Sequence, residues 1–470
     1  MSEYALTRRD FTRATLAALA LGVGTPPRAA ADPFESEAPR FAPGAPLPWR
    51  NWAGNQACVP SGRAAPESEA QLLDVLARTP GALRPVGAGH SFSALVPCAG
   101  TLVASDFLEG IAASDDTALE AEVRAGTRLH ALGPLLAARG QALPNLPDID
   151  YQTLGGAVAT STHGTGAGFG SLSSYVVALT LATPAGELVT CDAERNAELF
   201  AAARTSLGAL GVVTRLRLRN QRPFRLIETT RFEPIEVLLD DAPRRRDAIR
   251  NFELYALPHA TLGIAIETEL LTGDASAQGE EDPQAVARLR DLHRGVGWLP
   301  GIGGWLYDRL LRMSAGDAET VRAGASFQVL AHPRLLRFCE MEYTVPAEAG
   351  PACLREILGR IREQRIPVVF PIELRYVKRD DIWLSMFHGR DGCSISIHQY
   401  ADEDPRPYFA AIEPIFWKYD GRPHWGKLHS LDADRLAALY PRWRDFQEVR
   451  RALDSEGRLL NAHLRSVLGA

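Results

Sequence analysis

The sequence predicts a mixed α+β protein of two or three domains, and three observations carry this. The chain has 470 residues, enough for more than one core. Its first half alternates helical and strand patterns, and small residues gather at Gly87 to Ser91, Gly155 to Gly166 and Gly208 to Val213. From about Gln221 the character shifts to longer strands with acidic, aromatic and aliphatic residues in alternation. A composition of 46% hydrophobic and 23% charged residues is that of an ordinary globular protein. The net charge of -6, with no dense basic face, argues against a nucleic-acid partner. The densest basic run, "PRRRDAIR" from Pro243, reads as a solvated loop or a helix start.

The N-terminus has the order of an export signal. Arg8 and Arg9 precede Phe11, an apolar stretch and the small-residue site Ala29-x-Ala31. This resembles a twin-arginine signal, and its apolar core is too short to span a membrane. Residues 1–31 are therefore set aside, a proline-rich linker follows over 32–46, and a periplasmic or exported protein is expected. The six cysteines are scattered without a C-x-x-C pair, which argues against a zinc site; no metal is expected.

The elements follow in order. "SEAQLLDVLARTPG" has helical spacing and stops at Gly81. "ALRPVGAGHSFS" is a strand entering a turn. "TLVASDFLEGI" and "ALEAEVRAGTRLHALGPLLAARG" read as strand, strand and helix. "AVATS" suits a helix, and "PAGE" turns between two strands. "AELFAAARTSLGALGVVTRLRLR" is a helix, a glycine turn and an alternating strand. Later, "GDASAQGEEDPQ" is a polar loop. "GWLPGIGGWLYDRLLRM" is a buried helix and turn or a docking surface, and "PACLREILGRIREQRIP" is an amphipathic helix. "PIELRYVKRDDIWLSMF" and "GCSISIHQY" are strands joined by "HGRDG".

The "GAGHS" turn raises a chemical question, because His90 has little there to pack against. It is either a surface histidine on a strand-ending turn or part of a backbone nest for an anion. No G-x-G-x-x-G opens a helix after a strand, so a Rossmann site is poorly supported. Several separate glycine clusters suit an extended cofactor better than a single phosphate.

Taken together, "PVGAGHSFS", "GGAVATSTHGTG", "GALGVVTRLRLR" and "HWGKLH" resemble the vanillyl-alcohol-oxidase-type flavoproteins. More narrowly, they resemble the branch of sugar-1,4-lactone and alditol oxidases. The resemblance spans roughly residues 45 to 470. It implies a two-part FAD-binding domain and a substrate (cap) domain on a large antiparallel sheet. The boundaries expected are 47–220 for the first, 221–420 for the second, and 421–470 for a segment returning to the flavin. FAD is the implied cofactor, covalently bound through His90 in many members. Gly87, Gly89 and Ser91 would line its pyrophosphate. Gly155, Gly156, Ser161, Thr162, His163, Gly164 and Gly166 would line the flavin and ribityl phosphate. Gly211 and Val213 would meet the adenine side or the ring backbone.

Glu373 and Arg375 are two apart on a predicted strand, which puts both on one face. Read alone, they are a surface ion pair or a grip on polyol hydroxyls. His398 is a satisfied sheet histidine or a site residue, and Lys427 is a surface turn or a site residue. The resemblance implies that all four face the flavin as the catalytic group. The implied activity is oxidation of a hydroxyl of a sugar lactone or polyol by hydride transfer. Oxygen is the expected acceptor; the alternatives are another alcohol with a cytochrome or quinone acceptor, and an exported carbohydrate-binding protein without redox chemistry.

Overall fold

A computed structural model describes residues 47–273, 285–296, 303–315, 319–332 and 336–470. The expected leader and linker, and all but the first residue of the polar loop that begins at Gly273, lie outside these residues.

The chain enters through a short antiparallel pair, β1 (Trp49–Arg50) and β2 (Ala57–Cys58). A parallel three-stranded sheet follows, formed by β3 (Gly62–Ala64), β4 (Leu83–Val86) and β5 (Thr101–Ala104) in the order β3-β5-β4. The helix Glu69–Arg78 links β3 to β4, and Ser68 caps it by accepting from Gln71 N at 3.2 Å. A five-stranded antiparallel sheet comes next. It contains β6 (Ile111–Asp115), β7 (Glu120–Arg124), β8 (Val176–Ala182), β9 (Leu188–Asp192) and β10 (Val212–Arg219), in the order β6-β7-β10-β8-β9. β10 alternates buried and partly exposed residues as its "VVTRLRLR" pattern requires.

The rest of the chain builds one antiparallel sheet of eight strands. These are β11 (Arg225–Pro234), β12 (Asn251–Ala256), β13 (Leu262–Leu270), β14 (Thr320–Ala325), β15 (Phe338–Pro346), β16 (Ile372–Val377), β17 (Gly392–Tyr400) and β18 (Arg422–Pro423). Their order is β14-β11-β13-β12-β16-β17-β15-β18. β16 and β17 are buried at every residue. One face of β17 carries Ile395 and Ile397, against the helix Gly350–Glu363. Each such side chain gains about 1.5–3 kcal/mol by burial. The other face carries Ser394, Ser396 and His398.

The structure departs from the sequence reading in three places. "PRRRDAIR" is not a loop or a helix start. It begins inside the helix Ile235–Ala248, where Arg245 is buried between Glu233 at 2.7 Å, Asp241 at 2.8 Å and Glu267 at 3.1 Å. The strand expected through "VKRDDIWLSMF" ends at Val377. Asp380 then folds the chain into turns by accepting from Ile382 N at 3.1 Å and Ser385 Oγ at 2.6 Å. The helix Gly303–Ala315 is half-buried. Tyr307 and Leu311 face the core while Trp305 and Met313 are exposed.

The C-terminal segment returns to the first sheet. The N–H of Leu83 donates to Arg458 O at 2.8 Å, and the buried Arg84 donates to Leu459 O at 2.6 Å.

Candidate active site

The turn after β4 opens a cavity with about 920 Å³ of empty space, its open mouth included. Gly87, Gly89, His90, Ser91, Gly155, Gly156, Gly211 and Val213 all line it. So do Gly208, from the third small-residue cluster, and Thr153, which the sequence reading did not single out. Glycine is required at two of these points. A Cβ on Gly87 would stand 2.1 Å from Thr153 Oγ1, and Gly89 has φ +68. Among the described residues, nothing accepts from the backbone N–H groups of Gly87 through Ser91. Five consecutive unspent donors in a glycine turn form a concavity suited to an anion such as a pyrophosphate.

Ser161, Thr162, Gly164 and Gly166 are not on this cavity's wall. Ser161 turns the chain at φ 58, and its Oγ lies 3.2 Å from Ser385 Oγ. Thr162 Oγ1 meets Thr160 Oγ1 at 3.3 Å. Gly164 is pressed against Leu146 O, and Gly166 N donates to Tyr376 O at 2.7 Å. Here the polar loop spends its small residues on crossing from the cavity to the eight-stranded sheet.

That crossing delivers His163 to the polar face of the sheet. Directly opposed residues of antiparallel strands share a face, and the register sets two rows across four strands. One row is Tyr255, Glu373, Ser396 and Glu342; the other is Glu253, Arg375, Ser394 and Thr344. His398 stands opposite Glu340 beside them. Glu373 and Arg375 are not a surface pair. Both are buried, 3.0 Å apart, and Tyr255 donates to Glu373 at 2.7 Å. Arg375 also reaches Glu342 at 3.4 Å. Glu342 accepts from Ser396 Oγ at 2.9 Å and pairs with His163 Nε2 at 2.7 Å. Lys427 pairs with Glu340, whose other oxygen lies 3.7 Å from His398 Nε2. The four candidate residues therefore meet at one place. Glu340, Glu342, Tyr255 and His424 join them unannounced by the sequence reading, although "EMEY" alternates as one polar face should.

Burial and charge set the electrostatics. Burial works against the Glu342 carboxylate, but His163, His424 and Arg375 outweigh it and hold it well below the usual range. Burial pushes Glu253 well above that range, and the Asp148 and Glu373 carboxylates push it further. His424 is driven down to about 3 by burial. His90 falls to about 4, first by burial and then by Arg128 and Lys427. Both imidazoles are neutral at pH near 7.

Cavity and polar face adjoin. Phe92 N donates to Gly426 O at 2.7 Å, and Ser93 Oγ donates to Trp425 O at 2.7 Å. An aromatic wall runs from His90 to Trp52, Phe338 and His398, with ring centroids 5.3, 5.3 and 5.2 Å apart.

Residues 60–192 match the FAD binding domain family, and residues 216–467 match the D-arabinono-1,4-lactone oxidase family. The unspent N–H donors and the cavity's volume fit that dinucleotide. An L-gulono-1,4-lactone dehydrogenase of Mycobacterium tuberculosis is 35% identical over 90% of this chain and 99% of its own. An alditol oxidase of Streptomyces is 30% identical over 89% and 98%, and the L-gulonolactone oxidase of Bos taurus is 29% identical over 89% and 98%. A solvent-stable cholesterol oxidase shares the fold, with TM-score 0.74 and 20% identity over 93% of this chain and 100% of its own. The chain belongs to the D-arabinono-1,4-lactone oxidase family, whose members are FAD-dependent oxidoreductases acting on CH–OH groups.

Proposed function

We propose that the protein oxidises a secondary or primary hydroxyl of a sugar lactone or polyol. The observation that carries this is the polar face of the eight-stranded sheet adjoining the glycine-lined cavity. FAD held in that cavity supplies the acceptor for the hydride leaving the substrate carbon. Gly87, Gly89, Ser91, Gly155 and Gly156 hold the cofactor's phosphates, while Gly211 and Val213 flank its adenine side. Ser161, Thr162, Gly164 and Gly166 shape the crossing that adjoins it. His90 is the covalent anchor, its neutral imidazole having the lone pair such a bond needs.

Glu373 and Arg375 grip the substrate's hydroxyls, one accepting and one donating. His398 takes the hydroxyl proton. Lys427 places positive charge where the developing negative charge gathers. Trp52, Phe338 and Phe370 wall the site against water. Oxygen is the acceptor we favour for the reoxidation step. The mycobacterial relative is named a dehydrogenase, and this supports a second reading in which a cytochrome or quinone takes the electrons. Export by the twin-arginine route accords with a protein that folds around its cofactor before crossing a membrane.

Anaerobic addition of L-gulono-1,4-lactone and of an alditol tests the reading. Bleaching of the flavin band by either one is expected. A flavin band unchanged by both would overturn the substrate class. Oxygen uptake set against reduction of cytochrome c then separates oxidase from dehydrogenase.

A further inference from the structure

Glu340 is fully enclosed on β15, and its two oxygens have different partners. Oε2 pairs with Lys427 Nζ, and Oε1 faces His398 Nε2 at 3.7 Å. The register sets Glu340 opposite His398, so the two side chains stand on one face. His398 Nδ1 lies 3.1 Å from Pro371 O. A carbonyl only accepts, so Nδ1 carries the proton of the neutral ring and Nε2 carries the lone pair. That lone pair shares its space with two carboxylates, since one oxygen each of Glu340 and Glu373 and one nitrogen of His398 lie within 4.8 Å of one another. At 3.7 Å, Nε2 and Oε1 are too far apart to be hydrogen-bonded. His398 Nε2 and Glu340 Oε1 therefore face each other as two acceptors, and a substrate hydroxyl can donate to Nε2 from between them.

We propose that Glu340 is a positioning residue for the reaction: one oxygen anchors the Lys427 ammonium, and the other receives His398 Nε2–H once that nitrogen has taken the substrate's proton. The inference rests on the reading of His398 as the proton acceptor. In that step the substrate O–H bond breaks and an N–H bond forms on His398 Nε2. The O–H electron pair becomes the second bond of the product carbonyl as the hydride leaves the carbon for the flavin, which is the oxidant. Nothing else on this path needs a partner.

The groups facing His398 come from three elements. Burial lowers the ring's affinity for a proton, Glu340 on β15 and Glu373 on β16 raise it, and Lys427 beyond β18 lowers it. Phe338 and Phe370 pack on the ring without charge, at 5.2 and 5.0 Å. Glu340→Gln keeps the shape and removes one of the two raising charges.

The test is the pH dependence of anaerobic flavin reduction by L-gulono-1,4-lactone, or by xylitol if the lactone does not bleach the flavin. Glu340→Gln should slow the limiting rate about tenfold or more. It should also move the acid limb to lower pH by about one unit or more, because a carboxylate that favours the protonated ring is gone. Glu340→Asp should restore part of the limb's position. Magnetic resonance of nitrogen-labelled histidine in the resting holoenzyme should show the same displacement without turnover, with His398→Asn identifying the signal. His398→Asn should abolish the acid limb. If it does, while Glu340→Gln leaves limb and signal in place, Glu340 only fills space and the proposal fails alone. If the limb survives His398→Asn, the role of His398 fails and takes this proposal with it.

Discussion

Trp52 stacks on His90, with ring centroids 5.3 Å apart and planes inclined by 24°. Trp52 N also donates to Gly89 O at 2.8 Å, so the indole is tied to the turn it covers. The stack fixes the imidazole plane, and burial keeps the ring neutral down to pH of about 4. A held, uncharged imidazole is the form that can bond a flavin methyl carbon. After acid precipitation, flavin should stay in the pellet for the wild type and move to the supernatant for His90→Ala. Trp52→Ala should leave an intermediate share in the pellet. Flavin that stays in the His90→Ala pellet would place the attachment on another residue.

Arg375 lies between Glu373 and Glu342, and burial alone would weaken its charge; the carboxylates around it reverse that. Removing it takes a buried guanidinium away from Glu373 and Glu342, which leaves only Tyr255 on the first and Ser396 and His163 on the second among the partners described above. Arg375→Ala should slow flavin reduction by about a hundredfold or more, and it should lower folding stability by about 3–5 kcal/mol. FAD content per folded chain should stay near the wild-type value, because the glycine-lined cavity lies elsewhere. Equal losses of rate and of bound flavin would make Arg375 a structural residue.

Lys427 follows the turn His424–Gly426 and lies 5.0 Å from the Phe92 ring centre. Lys427→Met keeps the length of the side chain and removes the charge. Anaerobic flavin reduction should slow by about a hundredfold. A rate equal to the wild type's would remove Lys427 from the chemistry and leave its pairing with Glu340 as packing.

The glycine turn and "HWGK" were legible as motifs, but their contact was not. Nothing local announces that Phe92 N will meet Gly426 O, since that pairing is set by the path of the intervening sheet. The E-x-R spacing showed that Glu373 and Arg375 share a face without showing that the face is buried. Glu340 and Glu342 carry the same period-two signal in "EMEY", yet their value depends on register with β17, which the chain reaches only after a helix and β16. Residues 161–166 illustrate the opposite case. Their small side chains suggested a cofactor wall, and the structure uses them for close approach to Leu146, Ser385 and Tyr376. Glycine marks proximity, and it does not say to what.

Export is open to a direct test. Replacing Arg8 and Arg9 together by Lys should hold the precursor in the cytoplasm, with the leader uncleaved and FAD bound. Immunoblots of periplasmic and cytoplasmic fractions read the result. Normal export of the double variant would exclude the twin-arginine route.

The buried histidines predict an acid-sensitive fold. Burial carries His424 down to about 3, and His429 and His463 down to about 4, against about 6.5 in an unfolded chain. Between those values the unfolded state binds more protons, so stability rises with pH. The contribution is complete above about pH 6.5 and is lost as pH falls towards 4. Asp380 opposes the trend, because burial raises its carboxyl to about 6 and the native state then holds the extra proton. The slope of the whole protein is the balance of these groups, so one histidine is best isolated by difference. Neither ring nitrogen of His429 has a hydrogen-bond partner among the described residues. His429→Leu therefore removes two unsatisfied polar atoms at little cost in shape. Thermal midpoints at about pH 7.5 and about pH 5 should lie closer together in His429→Leu than in the wild type, with the larger gain at the lower pH. Equal spacing in the two proteins would mean that His429 keeps its ordinary affinity for a proton, and that the acid sensitivity comes from the other histidines.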